Sequence, residues 1–309
     1  MCGIVGLFLK DRALEPQLGR YLADMLVTMT DRGPDSAGLA IYREDGSGQA
    51  KLTLQSASPA CDFADLEAEM GEVLGQPGVL TRRGSHAVLA VPAEAAEAAR
   101  LAVATLRPHV RVVGRGSRIE IYKGVGMPRD VVDQFDIRTL SGSHGIGHTR
   151  MATESAVTTE SAHPFNTGDD QCLVHNGSLS NHNALRRKLQ RTGMTIDTQS
   201  DTEVAAAYLT WRMQQGATLG EALESGLRDL DGFFTFVVGT RDGFAVMRDP
   251  IACKPAIMAE TERYVAFGSE YRALVALPGI DAARVWEPEP AKVYVWSHSD
   301  ARHSGREAA

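Results

Sequence analysis

Met1-Cys2-Gly3-Ile4-Val5-Gly6-Leu7-Phe8 heads the chain. Ile4, Val5, Leu7 and Phe8 are apolar and β-prone, so residues 2–8 read as a buried strand. Cys2 stands at its start. Methionine is usually trimmed before a small side chain, which would leave Cys2 with a free α-amine beside its thiol. Model α-amines titrate near about 7.7–8.0 and thiols near about 8.5. Such an amine can accept the thiol proton near neutral pH, so one residue would supply nucleophile and base. The plain alternative is a strand that happens to begin on a small residue.

Composition narrows the field. The 309 residues are 43% hydrophobic and 23% charged, ordinary for a globular protein. With 32 Lys+Arg against 39 Asp+Glu the net charge is −7, which argues against nucleic-acid and anionic-membrane partners. No apolar run approaches the roughly 20 residues of a membrane span. The N-terminal stretch has no basic segment before its apolar run, so no secretory signal is expected, and a cytoplasmic location is. The four cysteines, at 2, 61, 172 and 253, fit neither a disulfide framework nor a CxxC site. Cys172 and Cys253 flank apolar runs and read as buried small hydrophobes. His144, His148, His163, His175 and His182 cluster, but only His144-x₃-His148 has ligand-like spacing, and it lies in a glycine-rich stretch. No metal site is expected.

Working outward from the first strand, residues 16–30 carry apolar side chains at helical spacing, a turn follows at 31–38, and 39–42 reads as a strand. Residues 86–91 predict a strand and 92–106 a helix. Residues 110–113 and 119–122 predict a hairpin around Gly114-Arg115-Gly116-Ser117. The stretch 43–140 therefore reads as an inserted small α/β block. Helices follow at 181–192, 200–215 and 218–230, the last two opened by capping boxes, Ser200 with Glu203 and Thr218 with Glu221. Residues 233–296 are strand-rich and 297–309 form a polar tail. Strands at both ends with helices between predict a layered α+β fold.

Further motifs lie in order along the chain: Arg32-Gly33-Pro34-Asp35-Ser36-Ala37-Gly38; Gly147-His148-Thr149-Arg150-Met151-Ala152-Thr153 with Ala162-His163-Pro164-Phe165; Val174-His175-Asn176-Gly177; Ser200-Asp201-Thr202-Glu203; Arg248-Asp249-Pro250; and Gly268-Ser269-Glu270. With the Met-Cys-Gly-Ile-Val-Gly start, this series resembles the class II glutamine amidotransferases, N-terminal-nucleophile (Ntn) hydrolases whose first cysteine hydrolyses glutamine. The resemblance implies a four-layer αββα sandwich over residues 2–296, interrupted by the 43–140 block.

It also implies roles. Cys2 is the nucleophile. Attack on a carboxamide makes an oxyanion that needs fixed donors, and Asn176 with the Gly177 N–H suits this. An Asn-Gly pair is also an ordinary hairpin turn. Arg150 can hold the glutamine carboxylate bidentately and Asp201 its ammonium; otherwise Arg150 is an exposed charge and Asp201 a first-turn acid. Thr153 and His163 match positions lining the glutamine pocket. Arg32 orders the Cys2 end, or only a surface turn.

Two features depart from the pattern. Met151 stands where many members carry an aromatic residue, and the run Arg248 to Ala256 replaces RDPxGxRPL. Residues 147–163, 174–189 and 230–236 look most like stand-alone subunits related to glutamate synthase, such as the small subunit of N-methylglutamate synthase. That resemblance implies a hetero-oligomer with an FMN-binding glutamate-synthase-like subunit. FMN and an iron–sulfur centre would sit on partner chains, and no cofactor on this one. There is no room for a synthase domain after residue 296 and no GxxxxGK[ST] loop. Two rival functions are an Ntn amidohydrolase acting on another amide, and a non-catalytic assembly or regulatory subunit retaining the fold.

Overall fold

The computed structural model describes residues 2–44, 48–152 and 157–298. The first part runs β1 (Gly3–Leu9), α1 (Leu18–Thr28), β2 (Ser36–Tyr42), β3 (Gln49–Gln55), α2 (Pro59–Asp62), α3 (Leu66–Leu74), β4 (Val79–Arg83), β5 (His86–Pro92), α4 (Ala96–Leu106) and β6 (Arg111–Gly116). Then come β7 (Ile119–Val125), α5 (Pro128–Gln134), β8 (His144–Arg150), β9 (Phe165–Gly168), β10 (Gln171–Leu179), α6 (His182–Arg191), α7 (Asp201–Gln214) and α8 (Leu219–Asp229). The chain closes with β11 (Gly232–Thr240), β12 (Gly243–Arg248), β13 (Ile257–Glu260), β14 (Tyr264–Gly268), β15 (Arg284–Trp286) and β16 (Val293–Ser297). This is an α+β fold.

Strand β1 is the middle strand of a seven-stranded sheet, order β15-β13-β14-β1-β8-β2-β7. Alternation along it decides what each face meets. Val5, Leu7 and Leu9 join a buried cluster with Leu18, Leu22 and Leu26 of α1 and Val131 and Val132 of α5. Ile4 and Phe8 point the other way, into a cluster with Val174, Val237 and Phe244 of a second, five-stranded sheet, order β16-β12-β11-β10-β9. The far face of that sheet buries Leu173, Phe234 and Phe236 against Leu185 of α6, Val204 of α7 and Leu223 of α8.

Strand β8 is polar and glycine-rich for a packing reason. A Cβ on Gly145 would lie 2.5 Å from a Leu22 methyl of α1, and one on Gly147 would lie 3.1 Å from a Leu26 methyl. The glycines let the helix settle onto the sheet.

Within the 43–140 stretch, residues 49–116 build their own four-stranded sheet, order β4-β5-β3-β6. Leu52, Leu89, Phe63, Met70 and Val103 fill its core. The expected hairpin at 110–122 does not form. Strand β6 pairs with β3, whereas β7 pairs with β2 in the large sheet. Asp170 explains the split: its carboxylate accepts from the backbone N–H of Ser117, Arg118 and Ile119 at 2.8–3.0 Å, and from the Ser117 hydroxyl at 2.7 Å. It therefore satisfies the connection in place of cross-strand bonds. Strand β7 and α5 thus belong to the main sheet and to the layer of α1.

The two expected capping boxes differ in outcome. Thr218 and Glu221 form one. Ser200 accepts from Thr202 N, but the buried Glu203 turns to the preceding loop, taking N–H groups of Asp197 and Thr198 at 2.9 and 2.6 Å. Cys172 is buried as expected; Cys253 is exposed. No described helix is long and apolar enough to cross a membrane. Among the described residues no group of three His, Cys, Asp or Glu is placed to hold a metal.

Candidate active site

The sheet registers bring the motifs to one edge. Gly3 of β1 faces Thr149 of β8, and Arg150 faces Ser36 at the start of β2. On the opposing sheet, Asn176 lies on the same face as Cys172 and Val174, directed towards β1. Cys2 is half-buried just before β1, with a free thiol.

The Cys2 carbonyl is gripped from two sides. Arg32 Nε donates to it at 3.0 Å and Asn176 Nδ2 at 3.2 Å. Arg32 is itself buried and pinned by Glu270 Oε1 at 2.7 Å. The Arg32 hydrogen bond holds the Glu270 carboxyl below the usual range, with Arg272 adding to the pull. Ser269 completes the clamp: its hydroxyl accepts from Ile4 N and its N–H donates to Ile4 O, both at 2.9 Å. Sequence reasoning quoted Ser269 and Glu270 without giving them work. The signal was their place in a motif; the contact across more than 230 residues is visible only in the fold.

Gly177 follows Asn176 with φ of +151°. A Cβ there would sit 1.9 Å from the Phe233 carbonyl oxygen, so no other residue fits without moving the backbone.

Arg150 ends β8, buried, its Nη1 donating to Ser161 Oγ at 2.9 Å. The turn at 32–35 grips this strand end. Asp35 N donates to Arg150 O, and Asp35 Oδ2 accepts from Ala152 N at 2.8 Å. Thr153 lies outside the described residues. Asp201 opens α7, its Oδ2 accepting from Leu179 N at 3.0 Å. Its Oδ1 stands 3.7 Å from His175 Nδ1.

His163 is placed in a buried wall, away from open solvent. Its Nε2 meets Thr202 Oγ1 at 2.8 Å and its ring stacks on His148 at 3.9 Å. Thr202 also meets His175 Nδ1 at 3.0 Å. One hydroxyl proton cannot serve both rings, so Thr202 donates to at most one of them, and its hydroxyl also lies 3.4 Å from Asp201 Oδ1. His148 Nε2 lies 3.0 Å from the His175 carbonyl, which only accepts, so that nitrogen carries the proton. Burial pushes His148 down to about 3 and His163 well below its ordinary value. Burial lowers His175 as well, against the pull of Asp201. The histidine cluster is a neutral hydrogen-bonded wall behind Asp201. Thr202, His148 and His175 were within quoted motifs, yet only the fold shows them sharing a hydroxyl.

A family of glutamine amidotransferase domains matches residues 148–276. The glutamine amidotransferase-like protein GlxB of Rhizobium meliloti is 66% identical over 97% of this chain and 100% of its own. A relative from Methanothermobacter thermautotrophicus, named for the same amidotransferase family, is 31% identical over 96% of this chain and 99% of its own. The fold is similar to glutamine phosphoribosylpyrophosphate amidotransferase from B. subtilis, solved with ADP and GMP, with a TM-score of 0.61 at 19% identity. That match covers 96% of this chain and 48% of the other, so this chain spans about half its length. Identity along whole chains joins the motif order and the shared fold, and on these grounds the chain belongs to the class II glutamine amidotransferases.

Proposed function

We propose that this chain is the glutaminase component of a glutamine-dependent amidotransferase or synthase. The observation that carries the reading is the Cys2 carbonyl held by both Arg32 and Asn176, with Gly177 next in line. That grip fixes the thiol-bearing residue against two oxyanion donors. The helix–sheet–sheet–helix order supports reading residues 2–296 as the αββα sandwich of Ntn hydrolases, with 49–116 as the inserted unit.

In this mechanism the Cys2 amine, freed by loss of Met1, takes the thiol proton. The thiolate adds to the side-chain amide carbon of glutamine. The oxyanion receives one Asn176 amide hydrogen, the other staying on the Cys2 carbonyl, and the Gly177 N–H. The amine returns its proton to the leaving nitrogen and ammonia departs. Water then cleaves the thioester to glutamate. Arg150 takes the substrate carboxylate and Asp201 its ammonium. Thr153 and His163 complete the pocket, His163 acting through Thr202.

The ammonia passes to a separate glutamate-synthase-like subunit. An FMN-binding chain of the N-methylglutamate synthase kind, with its iron–sulfur partners, is the expected form, in a cytoplasmic hetero-oligomer. The test is Cys2→Ala with glutamate and ammonia release measured together. Loss of both is expected, and full activity would refute the mechanism. Faster turnover of another amide than of glutamine would favour the amidohydrolase. Intact Met1 in active protein, read by mass spectrometry, would demand a different base.

A further inference from the structure

A cavity of about 600 Å³ lies between the inserted unit and the main body, away from Cys2. Its lining mixes apolar and charged residues. Val103 of α4, Val112 of β6 and Phe165 of β9 give it an apolar surface. Arg100, Arg111 and Arg115 of the inserted unit and Lys123 of β7 bring four cations to it. Lys123 is buried at its inner end. Its ammonium donates to the Ala162 carbonyl at 2.9 Å and lies 4.8 Å from the Phe165 ring. Burial lowers its pKa to about 8, so it stays mostly charged at neutral pH.

Three acids also line the space: Glu160, Asp197 and Glu203. Glu203 is saturated by the Asp197 N–H and the Thr198 N–H and hydroxyl. Arg100 pairs with Glu97, Arg111 with Glu160 and Arg115 with Asp169, and those carboxylates are 65%, 47% and 78% exposed. Arg100 holds Glu97 through two bonds at 2.7 and 3.0 Å, whereas Arg111 and Arg115 each meet an exposed acid through a single contact, which contributes little, so these two guanidiniums can turn to a better partner. A carboxylate inside the cavity would be one, because a guanidinium binds it through two charge-assisted bonds. The volume falls in the usual range for small-molecule sites.

We propose that this cavity binds a small organic anion, a carboxylate with an apolar body. The carboxylate meets the arginines, and the body lies against Phe165 and the valines. Two residues that line the cavity also hold elements of the glutamine site. Lys123 holds the carbonyl just before His163, and Glu203 holds the loop that enters Asp201. Occupancy therefore alters the KM for glutamine; that consequence rests on the glutaminase reading, whereas binding does not.

Calorimetry on the full chain tests it, with phenylacetate as probe against phenylacetamide, phenethylamine and inorganic phosphate. Phenylacetate should bind most tightly, both to the natural chain and to Cys2→Ala, and with glutamine present. Ala104→Trp, which fills the cavity from an exposed helix position, and Arg111→Ala should each weaken it by about tenfold or more. Equal binding of the neutral amide, or phenylacetate affinity unchanged in both variants, would overturn the proposal. Competition by glutamine would also overturn it, by moving the probe to the other site.

Discussion

Gly177→Ala perturbs the oxyanion geometry chiefly through the backbone, with His175 Nε2 a further neighbour at 2.9 Å. The new methyl carbon would sit 1.9 Å from the Phe233 carbonyl oxygen and 2.7 Å from Phe234 Cα. An ordinary carbon–oxygen contact is about 3.3 Å, so roughly 1.4 Å must be found. Both obstructing atoms are backbone of β11, which is paired on one side with β10 and on the other with β12. Strand β10 has to move instead, and with it the Gly177 N–H and the Asn176 side chain. A 1 Å misplacement costs on the order of 10² in rate, and loss of one oxyanion donor about 10²–10³. The expected kcat is therefore lower by about 10²–10³. KM should rise less than kcat falls, because Arg150 stands on β8, whereas Asp201 is tied to β10 through the Leu179 N–H. The φ of +151° adds strain of about 1–3 kcal/mol, enough to lower Tm by several degrees. Gly193→Ala is the control: φ is +91° but nothing lies within 4 Å of its Cβ, so Tm falls while kcat holds. Glutamate release at saturating glutamine is the assay. A Gly177→Ala enzyme within about threefold of the natural kcat would refute the reasoning.

Other outcomes follow from the same contacts. Arg150→Ala should raise KM for glutamine with a smaller change in kcat; an unchanged KM would contradict its carboxylate role. Glu270→Gln should lower kcat by loosening Arg32 from the Cys2 carbonyl, with KM unmoved; an unaltered kcat would show that Arg32 needs no anchor. Asp170→Ala should cost about 1–3 kcal/mol in urea unfolding, because the buried Ile119 N–H and the half-buried donors of Ser117 and Arg118 lose their acceptor. Acid should destabilise the protein through His86, His144 and His148, which burial pushes to about 3. The unfolded imidazole titrates near about 6.5, so the unfolded state gains the proton first, and stability is whole above that pH and falls below it. At about pH 5 each histidine removes about 2 kcal/mol, and a urea midpoint equal at pH 5 and 8 would refute this.

The chemistry-bearing residues were more legible than the architecture. Cys2, Arg150, Asn176 and Asp201 stand out through the order of the motifs that hold them, and their residue types suit a glutamine side chain and its amino-acid end. The helices at 182–191, 201–214 and 219–229 were readable because caps and glycines mark their ends. Strand β8 was hard to see, because its glycines serve a helix packed on the sheet rather than a turn. The false hairpin at 110–122 arose from local spacing that is favourable for one, while the competing acceptor, Asp170, lies about fifty residues on. Glu203 three residues after Ser200 fits a capping box, but the Asp197–Thr198 loop offers it three donors instead.

The inserted unit leaves and re-enters the main sheet at neighbouring points. Tyr42 of β2 is directly opposite Ile119 of β7, and Arg43 N bonds Arg118 O just beyond. Two strands joined this way could be closed by a tight turn in place of the whole unit. The junction is thus a natural splice point, where a module can be gained, lost or exchanged without altering the register of the strands that carry Cys2 and Arg150. The links that would need replacement include the buried Lys51–Glu120 pair at 2.9 Å, the partners of Asp170, the Arg111–Glu160 and Arg115–Asp169 pairs, the His86 ring against Phe135 and Val88 in the main core. A minimal domain with residues 44–117 replaced by a short turn is a concrete engineering target, and the same joint could receive a foreign sensor domain beside the large sheet.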